Sequence, residues 1–370
     1  MTEYDEHLAL IIRRFRNLKQ NQIKTPEEIR AMAIRYLELP KSDRKLQDLD
    51  IIEFAENPDY LGLSFRKRKP QKVILKCLYG MDLDQEEQRI FNTLTKGKGR
   101  YTPGHPVSEA VLALGARSGK STIISTCALY EGIVGYMKNN LQKYIAKDEN
   151  IYIVIISTRE LQSRMVIQNA CLRMLRNSPV LQKWIDKSID LEITLKNGVK
   201  IISSPCSSTS LRGVAIQTLI LDECAFFRLE GPKQDEVIFN SLRPRMAQFI
   251  NGKLFLASTA GSRQGLFWNF FNDGFNVEDR LTVTGKTNFI NEMIPQKFLD
   301  KERNRDVDSY MREYECVFSE RMEGFFSYEM LSKPFSLAGD VKYESNRNYC
   351  LALDQSGLSG RDFFGLAVSI

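Results

Sequence analysis

The chain of 370 residues is long enough for two domains, and its 43% hydrophobic and 26% charged residues exclude a largely disordered protein or a fibrous repeat. The net charge of +6 permits an anionic partner without requiring one, and the longest apolar run, residues 151–156, is far shorter than the roughly 18 residues of a membrane-spanning helix. Because the sequence has no basic-then-apolar leader, no C-x-x-C pair among its seven cysteines and only two distant histidines, we expect an intracellular protein with reduced thiols and no histidine-based zinc site.

Residues 1–65 are predicted to form a helical lead that has no recognisable chemistry and serves packing or docking. Apolar side chains recur there at helical spacing: Leu8, Ile11, Ile12, Phe15 and Leu18. Thr25 and Pro26 indicate a second helix, because an N-cap residue is followed by a first-turn proline. The basic stretch that comes next, residues 66–76, is interpreted as a solvated face, with phosphate contact as the alternative.

Short apolar strands alternate with helices beyond residue 107. The predicted strands are residues 111–114, 151–156, 218–221 and 254–257, with a hairpin at 191–202 and helices at 121–137 and 161–175. This alternation predicts an α/β fold with a mostly parallel sheet flanked by helices. Residues 332–347 are predicted to be a linker. Strands predicted at 349–353 and 363–370 are too few to bury a core, so we interpret them as the beginning of a second domain.

The strongest chemical signal is the run Gly115-Ala116-Arg117-Ser118-Gly119-Lys120-Ser121-Thr122. It follows a predicted strand and opens a predicted helix, which is the setting of a phosphate-binding loop. Backbone N–H groups there form a cradle for polyphosphate, Lys120 would reach the β- and γ-phosphates, and the Ser121 hydroxyl would bind Mg²⁺. The usual G-x-x-x-x-G-K-[ST] pattern is met loosely, since Leu114 occupies its first glycine position, and a glycine-rich turn is the alternative.

A second element supports the phosphate-binding loop. Residues 218–223 form an apolar strand that ends in the adjacent carboxylates Asp222 and Glu223. In an NTPase, Asp222 would hold Mg²⁺ and Glu223 would polarise the attacking water as a general base. The loop and this strand together predict an ATP site.

Two further segments are weaker candidates for the same site. Ser258, Thr259 and Ala260 end a predicted strand with hydroxyl groups that can report the γ-phosphate, although a simple strand-to-loop turn explains them as well. Gln71 begins an apolar helix, and its amide could hydrogen-bond the adenine edge through both donor and acceptor. An exposed glutamine on a helix is the alternative.

A carboxylate also ends one of the last predicted strands. Asp354 follows a buried strand, and Asp362 lies beyond the next turn. Carboxylates so placed can bind Mg²⁺ or Mn²⁺ for two-metal phosphodiester hydrolysis. On spacing alone, a turn-forming aspartate is the favoured interpretation.

Taken together, these segments resemble the large subunit of tailed-phage terminases, the motors that package DNA. The loop with Arg117 inside it is similar to that family's G-x-R-x-G-K-[ST] variant, which accounts for the displaced glycine. Residues 218–227 resemble its Walker B segment, residues 207–213 resemble the segment before it, and residues 258–260 match its coupling motif.

The resemblance extends to both ends of the region 65–370. Pro70-Gln71-Lys72 is similar to the family's adenine-binding motif, without the aromatic residue that often accompanies the glutamine. Asp354 resembles the first metal ligand of its RNase H-like nuclease. Since a complete nuclease needs further carboxylates from later strands, we expect a truncated nuclease and no cleavage of DNA with Mg²⁺ or Mn²⁺.

The resemblance implies a P-loop NTPase fold of the ASCE type, divided into four parts. They are the helical lead 1–65, an ATPase domain with a lid at 66–331, a linker at 332–347 and the start of the nuclease domain at 348–370. It implies ATP hydrolysis with Mg²⁺, in which Lys120, Arg117 and Glu223 are catalytic. Ser258 and Thr259 would couple loss of the γ-phosphate to movement of a helical region at roughly 265–330.

The resemblance also implies a place in the cell and a set of partners. The chain would translocate double-stranded DNA into a procapsid as part of a homo-oligomeric ring of five. It would act with a portal protein and a small terminase subunit, in the host cytoplasm at the portal vertex and away from membranes.

Three other classes of protein share part of this pattern. A DNA-dependent helicase or remodeller has the loop, the acidic pair and the glutamine, but does not explain the Asp354 strand. A nucleotide-controlled assembly switch has no need of Glu223 as a water-activating base. A small-molecule kinase needs neither Glu223 nor a nuclease-like tail.

Overall fold

The computed structural model describes residues 46–319, apart from 159–160, 206–210, 212, 231–233 and 276, together with two strands near the C-terminus. The chain divides into two compact units, Met1–Glu320 and Arg321–Ile370. Most of the predicted helical lead and the whole predicted linker lie outside the described residues. In the part of the chain that is described, no helix is both long enough and apolar enough to span a membrane.

The first unit is built on a sheet that, among the described residues, has eight strands. They are β1 (Glu109–Leu114), β2 (Ile151–Ser157), β3 (Ile185–Ile189), β4 (Glu192–Leu195), β5 (Lys200–Pro205), β6 (Ala215–Asp222), β7 (Lys253–Ser258) and β8 (Arg280–Gly285). Their order across the sheet is β3-β4-β5-β2-β6-β7-β1-β8. Six neighbouring strands of this order are parallel, namely β5, β2, β6, β7, β1 and β8. The other two, β3 and β4, are antiparallel to their neighbours. The predicted mostly parallel α/β sheet is confirmed.

The register of the central strands aligns the predicted motifs at one edge. Ala113 of β1 lies opposite Ser258 of β7, and Ala257 lies opposite Asp222 of β6. The loop that follows Leu114 therefore begins beside the ends of the other two strands. Carboxyl ends of parallel strands are where open α/β sheets bind ligands.

Helices connect and cover the strands. They are α1 (Ile51–Glu56), α2 (Lys69–Leu78), α3 (Gln85–Leu94), α4 (Lys120–Tyr130), α5 (Tyr136–Asn139), α6 (Leu161–Asn177), α7 (Gln234–Leu242), α8 (Gly265–Gly274), α9 (Thr287–Ile290), α10 (Gln296–Arg305) and α11 (Val307–Glu313). Short 3₁₀ turns occur at Leu46–Asp48, Leu141–Tyr144, Leu181–Trp184, Cys224–Glu230 and Arg243–Met246. The first and third helices begin with capping boxes, in which Asp50 and Asp84 accept backbone N–H groups of the first turn.

Both faces of the sheet are buried, which explains the continuous apolar runs of the central strands. On β1, Leu112 packs with α1 to α4 and α6, whereas its neighbour Val111 packs with α7 and α8. Residues 46–65 join the first of these cores, because Phe54 and Phe65 are buried in it. This part of the predicted lead therefore packs with the core of the first unit.

Two strands occur where the sequence pattern did not predict them. The region 265–330 is predicted to be helical, but β8 lies within it and pairs in parallel with β1 at the sheet edge. β3 adds an antiparallel edge strand on the opposite side. Both are short strands at a sheet edge, and their polar side chains gave little apolar signal. The helical prediction for 265–330 is therefore wrong where β8 lies.

The helix predicted at 121–137 is interrupted. After α4, a π-helical turn at Glu131–Gly135 leads into α5. This turn brings the buried Glu131 carboxylate to Gln217 at the start of β6, whose Nε2 donates to it at 3.0 Å. The buried Lys253 at the start of β7 lies nearby and donates to the carbonyl oxygen of Val107. A polar cluster thus lies at the end of the sheet opposite the motif edge.

The second unit contains a two-stranded antiparallel sheet. Its strands are β9 (Cys350–Asp354) and β10 (Gly365–Ser369), with Asp354 paired with Gly365. The two strands predicted near the C-terminus are therefore confirmed, with boundaries that differ by one or two residues.

Candidate nucleotide-binding site

The predicted motifs surround one pocket at the carboxyl edge of β1, β6 and β7. Its volume is about 680 Å³. The residues that line it are Arg68, Gln71, Ala116, Arg117, Ser118, Gly119, Lys120, Ser121, Thr122, Thr158, Glu223, Phe226, Thr259, Asn291 and Glu313. Most residues predicted from the sequence to bind nucleotide therefore line the same pocket.

The phosphate-loop sequence folds into a tight turn at the start of α4. Arg117 and Gly119 both have left-handed backbone angles, with φ of 61° and 91°. Gly119 is the N-cap residue of the helix, so the N–H groups of its first turn face the pocket. A β-carbon at Gly119 would overlap the side-chain amide of Gln71. Glycine is required here both for the backbone angle and for the close approach of Gln71.

Gln71 holds the loop from the side of α2. It is 1% exposed, and its Nε2 donates to the carbonyl oxygen of Ser118 at 2.6 Å. Its Oε1 is buried and has no hydrogen-bond partner, and the same is true of the Ser118 hydroxyl. The alternative of an exposed glutamine on a helix is therefore wrong. The role of Gln71 in adenine binding stays a prediction.

Lys120 joins the loop to the acidic strand end. Its Nζ donates to the carbonyl oxygen of Leu114 at 3.0 Å and lies 3.6 Å from Oε1 of Glu223. The side chain is almost completely buried, so its charge acts in a medium of low polarity. The ammonium group is thus positioned between the phosphate loop and the predicted general base.

Asp222 and Glu223 occupy different environments. Burial, and then the charge of Glu223, raise the pKa of the Asp222 carboxyl to about 7, while Lys120 acts to lower it. Glu223 has a left-handed φ of 52°, which turns its carboxylate into the pocket. Ser258 donates its hydroxyl to Oε2 of Glu223 at 3.1 Å, and Thr259 donates its N–H at 3.3 Å. Two residues of the predicted coupling motif therefore contact the predicted base, whereas Ala260 is buried and does not line the pocket.

Three residues that the sequence pattern did not identify complete the site from the C-terminal side. The hydroxyl of Thr287 donates to the carbonyl oxygen of Ala116 at 2.7 Å, and Nδ2 of Asn291 donates to that of Arg117 at 2.9 Å. The backbone carbonyl of Glu313 accepts the Ala116 N–H at 2.6 Å. No motif marks these positions, because a Thr, an Asn or a Glu at the end of a short helix has no distinguishing pattern.

The Glu313 side chain also faces the site. Burial, and then the charge of Glu223, raise the pKa of its carboxyl, whereas Lys120, Arg312 and a hydrogen bond from Thr259 act to lower it. Thr259 therefore contacts two carboxyl groups, one on the β6 side and one at the end of α11.

The donor set fits a polyphosphate with a divalent cation. Helix N–H groups, the Lys120 ammonium and the unpartnered Ser118 hydroxyl suit phosphate oxygens, and the unpartnered Oε1 of Gln71 is an acceptor. The Ser121 hydroxyl and the Asp222 carboxylate are oxygen ligands of the kind Mg²⁺ prefers. Asp354 lies in the separate second unit and, together with its predicted metal, stays a prediction.

The solved structures to which this chain is similar include large terminases of bacteriophages. The large terminase ATPase domain of Thermus phage P74-26 is 16% identical, with a TM-score of 0.42, and the match covers 66% of this chain and 98% of that one. The large terminase of bacteriophage HK97 is 17% identical, with a TM-score of 0.47, over 81% of this chain and 64% of that one. The large terminase of the thermophilic bacteriophage D6E in complex with ADP is 14% identical, with a TM-score of 0.40, over 57% and 48%.

No curated protein matches the sequence. One family, described as the N-terminal P-loop domain of the uncharacterized protein MJ0330, matches residues 20–316 and thus includes every residue of the pocket. The phosphate loop and the parallel sheet of this chain agree with a P-loop domain. The chain therefore belongs to the family of the MJ0330 N-terminal P-loop domain.

Proposed function

We propose that the chain hydrolyses ATP and uses the energy to translocate double-stranded DNA into a procapsid, as the large subunit of a phage terminase. The observation that supports hydrolysis is the position of Glu223. Its carboxylate lies in the phosphate pocket, oriented by Ser258 and Thr259 and 3.6 Å from Lys120. A protein that only binds nucleotide has no need of a carboxylate held in this way.

Each group at the site has a role in this proposal. Lys120 and the loop N–H groups hold the phosphates, and Glu223 accepts a proton from the attacking water as general base. Ser121 and Asp222 would hold Mg²⁺, which offsets the charge of the phosphate oxygens when it is bound. Gln71 is proposed to receive the adenine edge at its unpartnered Oε1.

Arg117 is proposed to offset the charge that develops on the transferred phosphoryl group. An arginine in this role typically accelerates transfer by about 10³–10⁵. Its backbone is held by Asn291 while its side chain lines the pocket, so it could act in its own site or rearrange when a neighbouring subunit docks. Arg212, a weaker candidate for the same role, lies outside the described residues.

The proposed partners follow from the resemblance of the sequence motifs to those of large terminases. Phage large terminases are also among the solved structures to which this chain is similar. They are double-stranded DNA, the portal protein, the small terminase subunit and four further copies in a ring, at the portal vertex in the host cytoplasm. Contacts with DNA should be mainly to phosphates, so that affinity falls steeply with salt. Asp354 is proposed as the first metal ligand of a nuclease that, when complete, would use Mg²⁺ or Mn²⁺, so no cleavage of DNA is proposed for this chain.

The test of this function is ATP turnover by the purified chain, with and without linear double-stranded DNA. We expect turnover that DNA stimulates and that Glu223→Gln abolishes, with nucleotide binding retained. Glu278→Gln is the matched control, because Glu278 is exposed and does not line the pocket. Absence of ATP binding in the wild-type chain would contradict the whole proposal, and strand separation with ATP would indicate a helicase instead.

A further inference from the structure

The C-terminal side of the pocket is attached to the phosphate loop by its backbone. The Glu313 carbonyl accepts the Ala116 N–H at 2.6 Å, and the next carbonyl, that of Tyr314, accepts the Thr287 N–H at 2.8 Å. Gly115 is packed so closely here that a β-carbon would lie 2.8 Å from the Tyr314 carbonyl oxygen. The end of α11 therefore cannot shift without changing contacts of the loop.

The charge of Glu313 is placed in the same part of the pocket. Its carboxyl interacts with Glu223 and with Lys120, and is hydrogen-bonded by Thr259. The charge of Lys120 thus acts on carboxyl groups from two parts of the chain, the end of β6 and the end of α11. Like charges in one pocket repel unless a cation offsets them.

We infer that Glu313 is a positioning residue through which α10 and α11 respond to the terminal phosphate of the bound nucleotide. This inference rests on the proposed ATPase function. A γ-phosphate beside Lys120 would compete for the ammonium group and repel the Glu313 carboxylate. Because the Glu313 backbone ends α11, its displacement moves that helix and loosens the carbonyl contact with Ala116. A diphosphate leaves the position of the γ-phosphate free, so Glu313 stays in place.

The proposed response through Glu313 differs from the one expected of the predicted coupling motif. Ser258 and Thr259 contact Glu223 directly, whereas Glu313 carries the response onto the helices themselves. Thr259 lies between the two carboxyl groups and therefore belongs to both connections.

The test compares binding of AMP-PNP and ADP by the full chain, measured by calorimetry. We expect Glu313→Gln to bind AMP-PNP about tenfold more tightly while its ADP affinity changes by less than about twofold. Glu313→Asp, which keeps the charge, should discriminate between the nucleotides as the wild type does. Glu292→Gln, which removes an exposed carboxylate just before α10, should leave both affinities unchanged.

Hydrogen exchange gives the second measurement. In the wild type, AMP-PNP but not ADP should increase exchange in residues 296–313, and Glu313→Gln should remove this difference. Equal changes in the affinity for both nucleotides, or none, would overturn the inference and reduce Glu313 to a packing residue. Failure of the wild type to bind either nucleotide would instead refute the proposed function on which the inference rests.

Discussion

The ammonium group of Lys120 lies 3.6 Å from the carboxylate of Glu223, while the same group donates to the Leu114 carbonyl at 3.0 Å. The lysine that should bind phosphate is thus held beside the residue that should activate water. This contact connects the end of β1 with the end of β6 although β7 lies between the two strands.

The first prediction concerns the charge of this lysine. Lys120→Met keeps most of the side-chain length and removes the ammonium group. Nucleotide affinity should fall about hundredfold, because a buried charged partner of the phosphates is lost. Titration calorimetry with ADP measures the change, and Lys98→Met, at an exposed position, is the control. Unchanged ADP affinity in Lys120→Met would show that this loop does not bind phosphate.

The second prediction tests the close approach of Gln71 to the loop. Gly119→Ala places a methyl group on the Gln71 amide and should break its bond to the Ser118 carbonyl, lowering nucleotide affinity about tenfold. Gly104→Ala is the matched control, since Gly104 has a similar φ of +86° but open space around its β-carbon position. The control should lose only about 1 kcal/mol of stability from backbone strain. Equal nucleotide affinity in the two variants would contradict this account.

The third prediction separates two roles of Gln71. If its free Oε1 receives the adenine edge, Gln71→Ala should weaken ATP binding about tenfold more than it weakens GTP binding. Loss of the Ser118 hydrogen bond alone costs about 1 kcal/mol and would weaken both nucleotides equally. Gln88→Ala, at an exposed position on α3, is the control. Parallel losses for ATP and GTP would restrict Gln71 to holding the loop.

The fourth prediction concerns pH and the polar cluster at the other end of the sheet. Burial raises the pKa of Glu131 above its ordinary value of 4.5, although Lys253, Tyr79 and Gln217 act to lower it. The folded chain therefore holds this proton more tightly than the unfolded chain. The resulting contribution to the free energy of unfolding is complete below pH 4.5 and is lost as the pH rises through the raised pKa.

Glu131→Gln removes this titration and keeps a group that can hydrogen-bond Gln217. The stability of the variant relative to the wild type should therefore increase between pH 5 and pH 8, as measured by urea unfolding at each pH. Glu278→Gln, at an exposed position, should show no such trend. A constant difference between variant and wild type across this range would argue against the raised pKa.

Much of the site could be predicted from the sequence because its motifs are local. The glycines and lysine of residues 115–122 determine the conformation of one short loop, and an apolar run that ends in Asp222 and Glu223 indicates a strand end. The alternation of strands and helices then predicts that these segments meet, since carboxyl ends of parallel strands lie at one edge. The structure has them around one pocket.

The other half of the pocket could not be predicted in this way. Thr287 and Asn291 bond loop residues that are 171 and 174 positions earlier in the chain, and neither lies in a motif. Their position depends on β8, a short edge strand whose pairing with β1 has no strong periodic signal. The π-helical turn at Glu131 was not predicted either, because its buried partner Gln217 is 86 positions away in the chain.

The sequence by itself therefore determined the phosphate loop, the acidic strand end and the α/β class, since each depends on turn chemistry or periodicity within a few residues. Only the tertiary structure decided that β7 lies between β1 and β6, that Gln71 is buried against the loop, and that Glu313 closes the pocket. These contacts join segments far apart in the chain, and hydrogen bonds between such segments form only once the sheet has brought them together.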